Sequence, residues 1–188
     1  AIPIAALVTH RHTEISQFVR LSGATTCVYP ESSGDFRFGP VIERIQADNP
    51  SLKFRLVLGQ AGPGEVSLRE LIDRPARLRV SALAELDIDP ADPCLFQLSG
   101  GTTGVPKLIP RTHNDYAFNS GAAAEVTELD GDAVLLLVLP IAHNLPLACP
   151  GIQGFMFQGA KVVLHGNTRP AEMFGLIQRH RVTHLKVV

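Results

Sequence analysis

Residues Leu98–Lys107 read Leu98-Ser99-Gly100-Gly101-Thr102-Thr103-Gly104-Val105-Pro106-Lys107, or LSGGTTGVPK. The residues that lead in, Cys94-Leu95-Phe96-Gln97-Leu98, form a mostly apolar run that reads as a strand. A strand that ends in glycines is a usual ligand position in α/β sheets. Gly100, Gly101 and Gly104 let backbone N–H groups turn toward an anion with no Cβ in the way. The hydroxyls of Ser99, Thr102 and Thr103 add donors. Lys107 adds a positive charge on a long stem. A plain hairpin turn requires none of this, so the loop reads as a phosphate cradle. It is not a Walker A loop, because no Gly-Lys-Ser/Thr follows the first glycine at that spacing. A P-loop kinase or GTPase is thereby excluded.

Outward from the loop, helix-like and strand-like segments alternate. Thr13 is the expected cap of a helix with Ile15, Phe18 and Val19 on one face. Thr25–Tyr29 and Phe54–Leu58 read as strands, with a helix from Pro40 to Asp48 between them. Ser67 and Glu70 form a capping box, and Pro75 ends the helix that it opens. Residues 77–93 hold four acidic side chains (Glu85, Asp87, Asp89, Asp92) and two prolines, and read as a connection.

After the loop, Lys107–Pro110 reads as a short return strand. Thr112 or Asn114 caps the next helix. Ala133–Leu139 is a buried strand, and Asn144–Phe157 is an apolar stretch interrupted by Pro146, Pro150 and Gly151. Ala160–Leu164 is a strand, Thr168 caps a further helix, and Thr183–Val188 is the last strand. The alternation predicts an α/β fold with a largely parallel sheet flanked by helices. No internal repeat, low-complexity tract or domain linker is visible.

The 188 residues carry a net charge of −1, with 45% hydrophobic and 19% charged side chains. That is ordinary globular composition with no basic field for nucleic acid or an anionic membrane. No apolar run approaches the ~18 residues of a membrane span. The three cysteines, Cys27, Cys94 and Cys149, are odd in number and lack C-x-x-C spacing, which points to a reducing cytoplasm. Cys27 and Cys94 are expected to be buried thiols. His10, His12, His165, His180 and His184 show no metal-ligand spacing, so no metal site is assigned to protein side chains. The chain opens without Met or a basic leader and stops within an apparent strand, so it reads as a fragment.

The stretch LSGGTTGVPKLIPRTHNDY resembles the phosphate loop of the adenylate-forming enzymes, which include acyl- and aryl-CoA synthetases, luciferases and peptide synthetase adenylation domains. Together with IAHNLPLACPG (141–151), it is similar to the stand-alone aryl acid AMP ligases of siderophore biosynthesis. The resemblance implies that residues 1–188 are part of the large N-terminal domain, with the small C-terminal domain absent. It implies ATP and Mg2+ as cofactors, an aryl acid as substrate, and an aryl carrier protein with phosphopantetheine as partner. Ser99, Gly100, Gly101, Thr102, Thr103, Gly104 and Lys107 would hold the β- and γ-phosphates, with Lys107 stabilising the leaving pyrophosphate.

By the same resemblance His143 lies near the carboxylate and nucleotide, and Lys107 and His143 are the candidate catalytic residues. Asn144 would bond the ortho hydroxyl of the ring, with Cys149 and Gly151 also lining the acid pocket. Enzymes of this kind that use 2,3-dihydroxybenzoate tend to have Ser where Cys149 stands. A thiol suits a bare ring C–H better than a hydroxyl, so the sequence leans to salicylate. Arg111 is a candidate support for the loop or the phosphates. The alternatives are a general acyl-CoA synthetase and a non-catalytic remnant that binds nucleotide or a carrier protein.

Overall fold

The computed structural model describes residues 1–75, 79–99 and 106–187. The glycines and threonines at 100–104 lie outside the described residues, so the cradle assigned to them has no structural account. The chain falls into two compact units, one of Val8–Ile88 and one built from Ala1–Leu7, Asp89–Ser99 and the chain from Leu108 onward. Nothing in the sequence announced that division, because no linker composition separates them.

In the first unit the elements run α1 (His12–Ser22), β1 (Thr26–Pro30), β2 (Ser32–Ser33), β3 (Phe36–Arg37), α2 (Gly39–Asp48), β4 (Phe54–Leu58), β5 (Val66–Ser67), α3 (Leu68–Asp73) and α4 (Ser81–Ala84). β1, β4 and β5 make a parallel sheet in the order β1-β4-β5, while β2 and β3 pair antiparallel. Val19 of α1, Ile42 and Ile45 of α2, and Tyr29 and Val57 of the sheet bury a common core. The helical spacing of Ile42 and Ile45 and the alternation of Arg55 with Val57 put these side chains on one side.

Helix α1 starts at Arg11, not at the expected cap Thr13. Glu14 reaches back to accept from the Arg11 N–H at 3.0 Å, and the Arg11 guanidinium stacks 3.9 Å above the Phe36 ring. Ser67 does cap α3, accepting from the Glu70 N–H at 3.3 Å. The stretch expected to be a bare connection contains the short α4.

The second unit contains β6 (Pro93–Leu98), β7 (Leu108–Thr112), α5 (His113–Val126), β8 (Val134–Leu137), α6 (Asn144–Ala148), α7 (Gly151–Phe157), β9 (Lys161–Leu164), α8 (Pro170–His180) and β10 (His184–Leu185). β10-β8-β9 is a second parallel sheet, with Leu135, Leu137 and Phe155 buried in its core. β6 and β7 form an antiparallel hairpin whose connection is the glycine-rich loop. Ile4 adds a parallel bridge to Phe96 of that hairpin. Parallel pairing thus dominates the longer sheets, as alternation predicts, with the hairpin as the local exception.

Helix α8 is capped at Arg169 and not at Thr168, because the Asn167 side chain accepts from the Arg169 N–H at 3.0 Å. The apolar stretch 144–157 is two short helices, split at Pro150 and Gly151. Cys27 and Cys94 are half-buried, not fully enclosed, and all three thiols are unpaired. Burial nonetheless pushes the Cys27 thiol up to about 11. Among the described residues, no helix is long and apolar enough to cross a membrane.

Candidate functional site

Gln97 is the one amide in the run Cys94–Leu98, and it points the same way as Leu95, into the interior. A buried amide must find a partner or lose its hydration without return. Its Nε2 donates to the hydroxyl of Tyr116 at 2.9 Å. Tyr116 lies on the first turn of α5, where Thr112 accepts from the Asp115 N–H at 3.1 Å and fixes the helix start. The Tyr116 hydroxyl in turn donates to Asn144 Oδ1 at 2.8 Å.

Asn144 opens α6, and its Nδ2 stands 3.4 Å from the Cys149 sulfur at the far end of the same helix. On the other side of that sulfur, Asn119 Nδ2 lies at 3.2 Å. Asn119 reaches it because it sits one helical turn beyond Tyr116 on α5. The result is a continuous polar string, Gln97–Tyr116–Asn144–Cys149–Asn119.

Two cations flank the string. Arg111 stacks with its guanidinium carbon 4.6 Å above the Tyr116 ring and is held in place by a bidentate pair with Asp115. That pairing holds the Asp115 carboxyl below its usual range. Arg111 was a candidate support for phosphates, and the structure gives its guanidinium to Asp115 and Tyr116. Lys186 donates to the backbone carbonyl of Cys149 at 2.6 Å. Burial pulls the Lys186 ammonium below the ordinary lysine range. Burial also raises the Tyr116 phenol.

Of the residues singled out in the sequence, Asn144 and Cys149 come together. His143 is exposed and gives α6 its first backbone acceptor, taking the Leu147 N–H at 3.2 Å. Gly151 is buried with φ +41°, and a Cβ there would strike the carbonyl of Pro146 and lie 3.0 Å from that of Leu145. Its missing side chain is thus required by the corner between α6 and α7 itself. Ser99 and Lys107 are described at the two ends of the loop, and Lys107 is exposed.

Sequence reasoning passed over Gln97, Tyr116, Asn119 and Lys186. The signal for Gln97 was present, as an amide in an apolar strand. Lys186 gave none. A surface cleft of about 410 Å3 opens beside Cys94, His113, Tyr116, Ser120, Gln153 and Phe157, while neither Asn144 nor Cys149 lines it. Among the described residues, no three His, Cys, Asp or Glu side chains gather as metal ligands.

A profile of the family described as AMP-binding enzyme matches residues 1–188. The chain belongs to the AMP-binding enzyme family. Its relatives in that family include the salicyl-AMP ligase / salicyl-S-ArCP synthetase of Mycobacterium tuberculosis, 42% identical over 183 residues, covering 97% of this chain and 32% of the relative. The 2,3-dihydroxybenzoate-AMP ligase of Bacillus subtilis is 37% identical over 183 residues, covering 97% of this chain and 32% of that protein. Apo MbtA of Mycobacterium smegmatis superposes with a TM-score of 0.87 at 37% identity, over 100% of this chain and 34% of its own. This AMP-binding chain therefore spans about a third of the length of the curated relatives that it matches.

Proposed function

We propose that this chain is part of the large N-terminal domain of an aryl acid adenylating enzyme that acts in siderophore biosynthesis. The favoured substrate is salicylate over 2,3-dihydroxybenzoate. The observation that carries the reading is the placement of the Cys149 sulfur 3.4 Å from the Asn144 amide, at the two ends of one short helix. The amide meets an ortho oxygen on the ring, and the thiol faces the next ring position, where salicylate has only a C–H. The relatives that activate salicylate and 2,3-dihydroxybenzoate support the class of acid.

The chemistry has two steps. A carboxylate oxygen of the acid bonds to the α-phosphorus of ATP, and the bond from that phosphorus to pyrophosphate breaks. The thiol of a carrier protein's phosphopantetheine then loses its proton and attacks the aryl carbonyl, and AMP leaves. Ser99, Gly100, Gly101, Thr102, Thr103, Gly104 and Lys107 hold the phosphates, and Lys107 offsets the charge that gathers on the departing pyrophosphate. Mg2+ would be carried on the phosphates that these residues hold and would supply further charge neutralisation there. His143 stands before Asn144 to meet the carboxylate. Three unpaired thiols suit a cytoplasmic enzyme.

The test is aryl-acid-dependent ATP–pyrophosphate exchange by the full-length protein, with salicylate and 2,3-dihydroxybenzoate side by side. Exchange that favours salicylate is the expected result. Preference for the dihydroxy acid would keep the class and overturn the role of Cys149. No exchange with either would overturn the aryl acid reading.

A further inference from the structure

We propose that Tyr116, held by Gln97, is a positioning residue that fixes which end of the Asn144 amide faces the aryl acid, so that the pocket selects an ortho group that accepts a hydrogen bond over one that donates. The proposal rests on the aryl acid reading and adds a specificity that neither Asn144 nor Cys149 sets alone.

Gln97 is 6% exposed and Tyr116 is 2% exposed, so water does not compete for their polar groups. Gln97 Nε2 donates to the Tyr116 oxygen at 2.9 Å. The phenol has a single proton, and with its oxygen already accepting, that proton goes to Asn144 Oδ1 at 2.8 Å. The Arg111 guanidinium over the ring, 4.6 Å from its centre, helps to hold the phenol in place. With its oxygen held by the Tyr116 hydroxyl, Asn144 turns its NH2 the other way, toward Cys149 at 3.4 Å. A free asparagine flips between donor and acceptor faces; here the Tyr116 hydroxyl holds the donor end toward Cys149.

The consequence for ligands follows from elementary chemistry. In salicylate the phenolic proton bonds to the molecule's own carboxylate, so the ring oxygen turns a lone pair outward. That lone pair matches the Asn144 NH2. In 2-aminobenzoate, nearly the same in shape, one N–H goes to the carboxylate and the other points outward. It meets Asn144 donor to donor. A site built to pair a polar group rejects the mismatched analogue because its own group is left unpaired.

The experiment measures kcat/KM for salicylate and for 2-aminobenzoate in ATP–pyrophosphate exchange, using the full-length wild-type protein, Tyr116→Phe, Gln97→Met and Asn144→Asp. Benzoate serves as the acid without an ortho group. The wild type should prefer salicylate by about 100-fold or more. Tyr116→Phe frees the amide to turn, and the ratio should fall by about tenfold, with Gln97→Met following in the same direction. Asn144→Asp presents only acceptors and should reverse the order of the two acids.

A role confined to packing would lower both acids and benzoate together and leave the ratio unchanged in Tyr116→Phe and Gln97→Met, which overturns the relay. A wild type that uses both ortho acids equally also overturns it. Absence of exchange with every aryl acid would instead overturn the functional reading, and the relay with it.

Discussion

Lys186 donates from its ammonium to the backbone carbonyl of Cys149 at 2.6 Å, and the Leu145 carbonyl lies 3.5 Å from the same nitrogen. One side chain, carried just past β10, thus ties down Cys149, the cap at the C-terminal end of the short helix that Asn144 opens. A five-residue helix has little cooperativity of its own and depends on such outside contacts.

Lys186→Met is expected to remove this donor and leave a carbonyl without its partner, at a cost of about 1–3 kcal/mol. Urea unfolding reads the cost as a lower midpoint. Lys186→Arg, which keeps the charge and donors, should restore part of it. An unchanged midpoint in Lys186→Met would mean that the corner holds without the contact.

Gly151→Ala is expected to destabilise the fold without touching a ligand directly. The residue sits at φ +41°, and a Cβ would collide with the Pro146 carbonyl. A strained backbone of this kind costs about 1–3 kcal/mol. A variant with wild-type thermal stability but weakened acid binding would assign Gly151 to the pocket instead.

These two positions also show what a sequence discloses. Local signals were legible, as with the Ser67 cap on α3, the α5 cap that falls to Thr112 and not to Asn114, and the break at Pro150 and Gly151, while Pro146, read as a third interruption, lies inside α6. Signals that hang on a distant partner were not. Arg11 became a helix start through Glu14 and the Phe36 ring, while Thr13 had the better cap chemistry. Asn144 and Cys149 were found through resemblance to a family. Tyr116 and Gln97 lie 19 residues apart and read separately as a helix residue and a strand residue, so only the folded chain joins them. Lys186 contacts a carbonyl 37 residues away, which no local pattern encodes.

Asp115→Asn tests the pair with Arg111. The guanidinium holds the folded-state pKa of Asp115 below its ordinary value of 3.8. A depressed carboxylate adds stability above its unfolded pKa, and that share is lost as pH falls through the folded value. Both groups are partly solvated, so the share is at most about 1 kcal/mol. The variant should unfold slightly earlier than wild type at neutral pH, and the gap should close as pH drops below 3.8. A gap that stays constant with pH would remove the ion pair as its cause.

Lys107→Ala addresses the loop. A charge that acts on the departing pyrophosphate is expressed in the reaction and not in acid binding. Exchange is expected to fall by about 10²–10³-fold, the usual scale for loss of one stabilising donor. Calorimetric binding of salicylate should change by less than about threefold, well under 1 kcal/mol. Equal loss of both would place Lys107 in the folding of the loop and not in its chemistry.

Cys149→Ser asks whether the sulfur sets the choice of acid. Serine is smaller, donates a stronger hydrogen bond, and would stand between the amides of Asn119 and Asn144, where the thiol stands now. A ring with a second hydroxyl gains a partner there, while a bare C–H gains nothing and leaves the new hydroxyl to the two amides. The ratio of kcat/KM for 2,3-dihydroxybenzoate to that for salicylate should therefore rise by about tenfold. Exchange kinetics with both acids measures it. If the two acids change in proportion, the thiol is packing alone and does not set the choice at the second ring position.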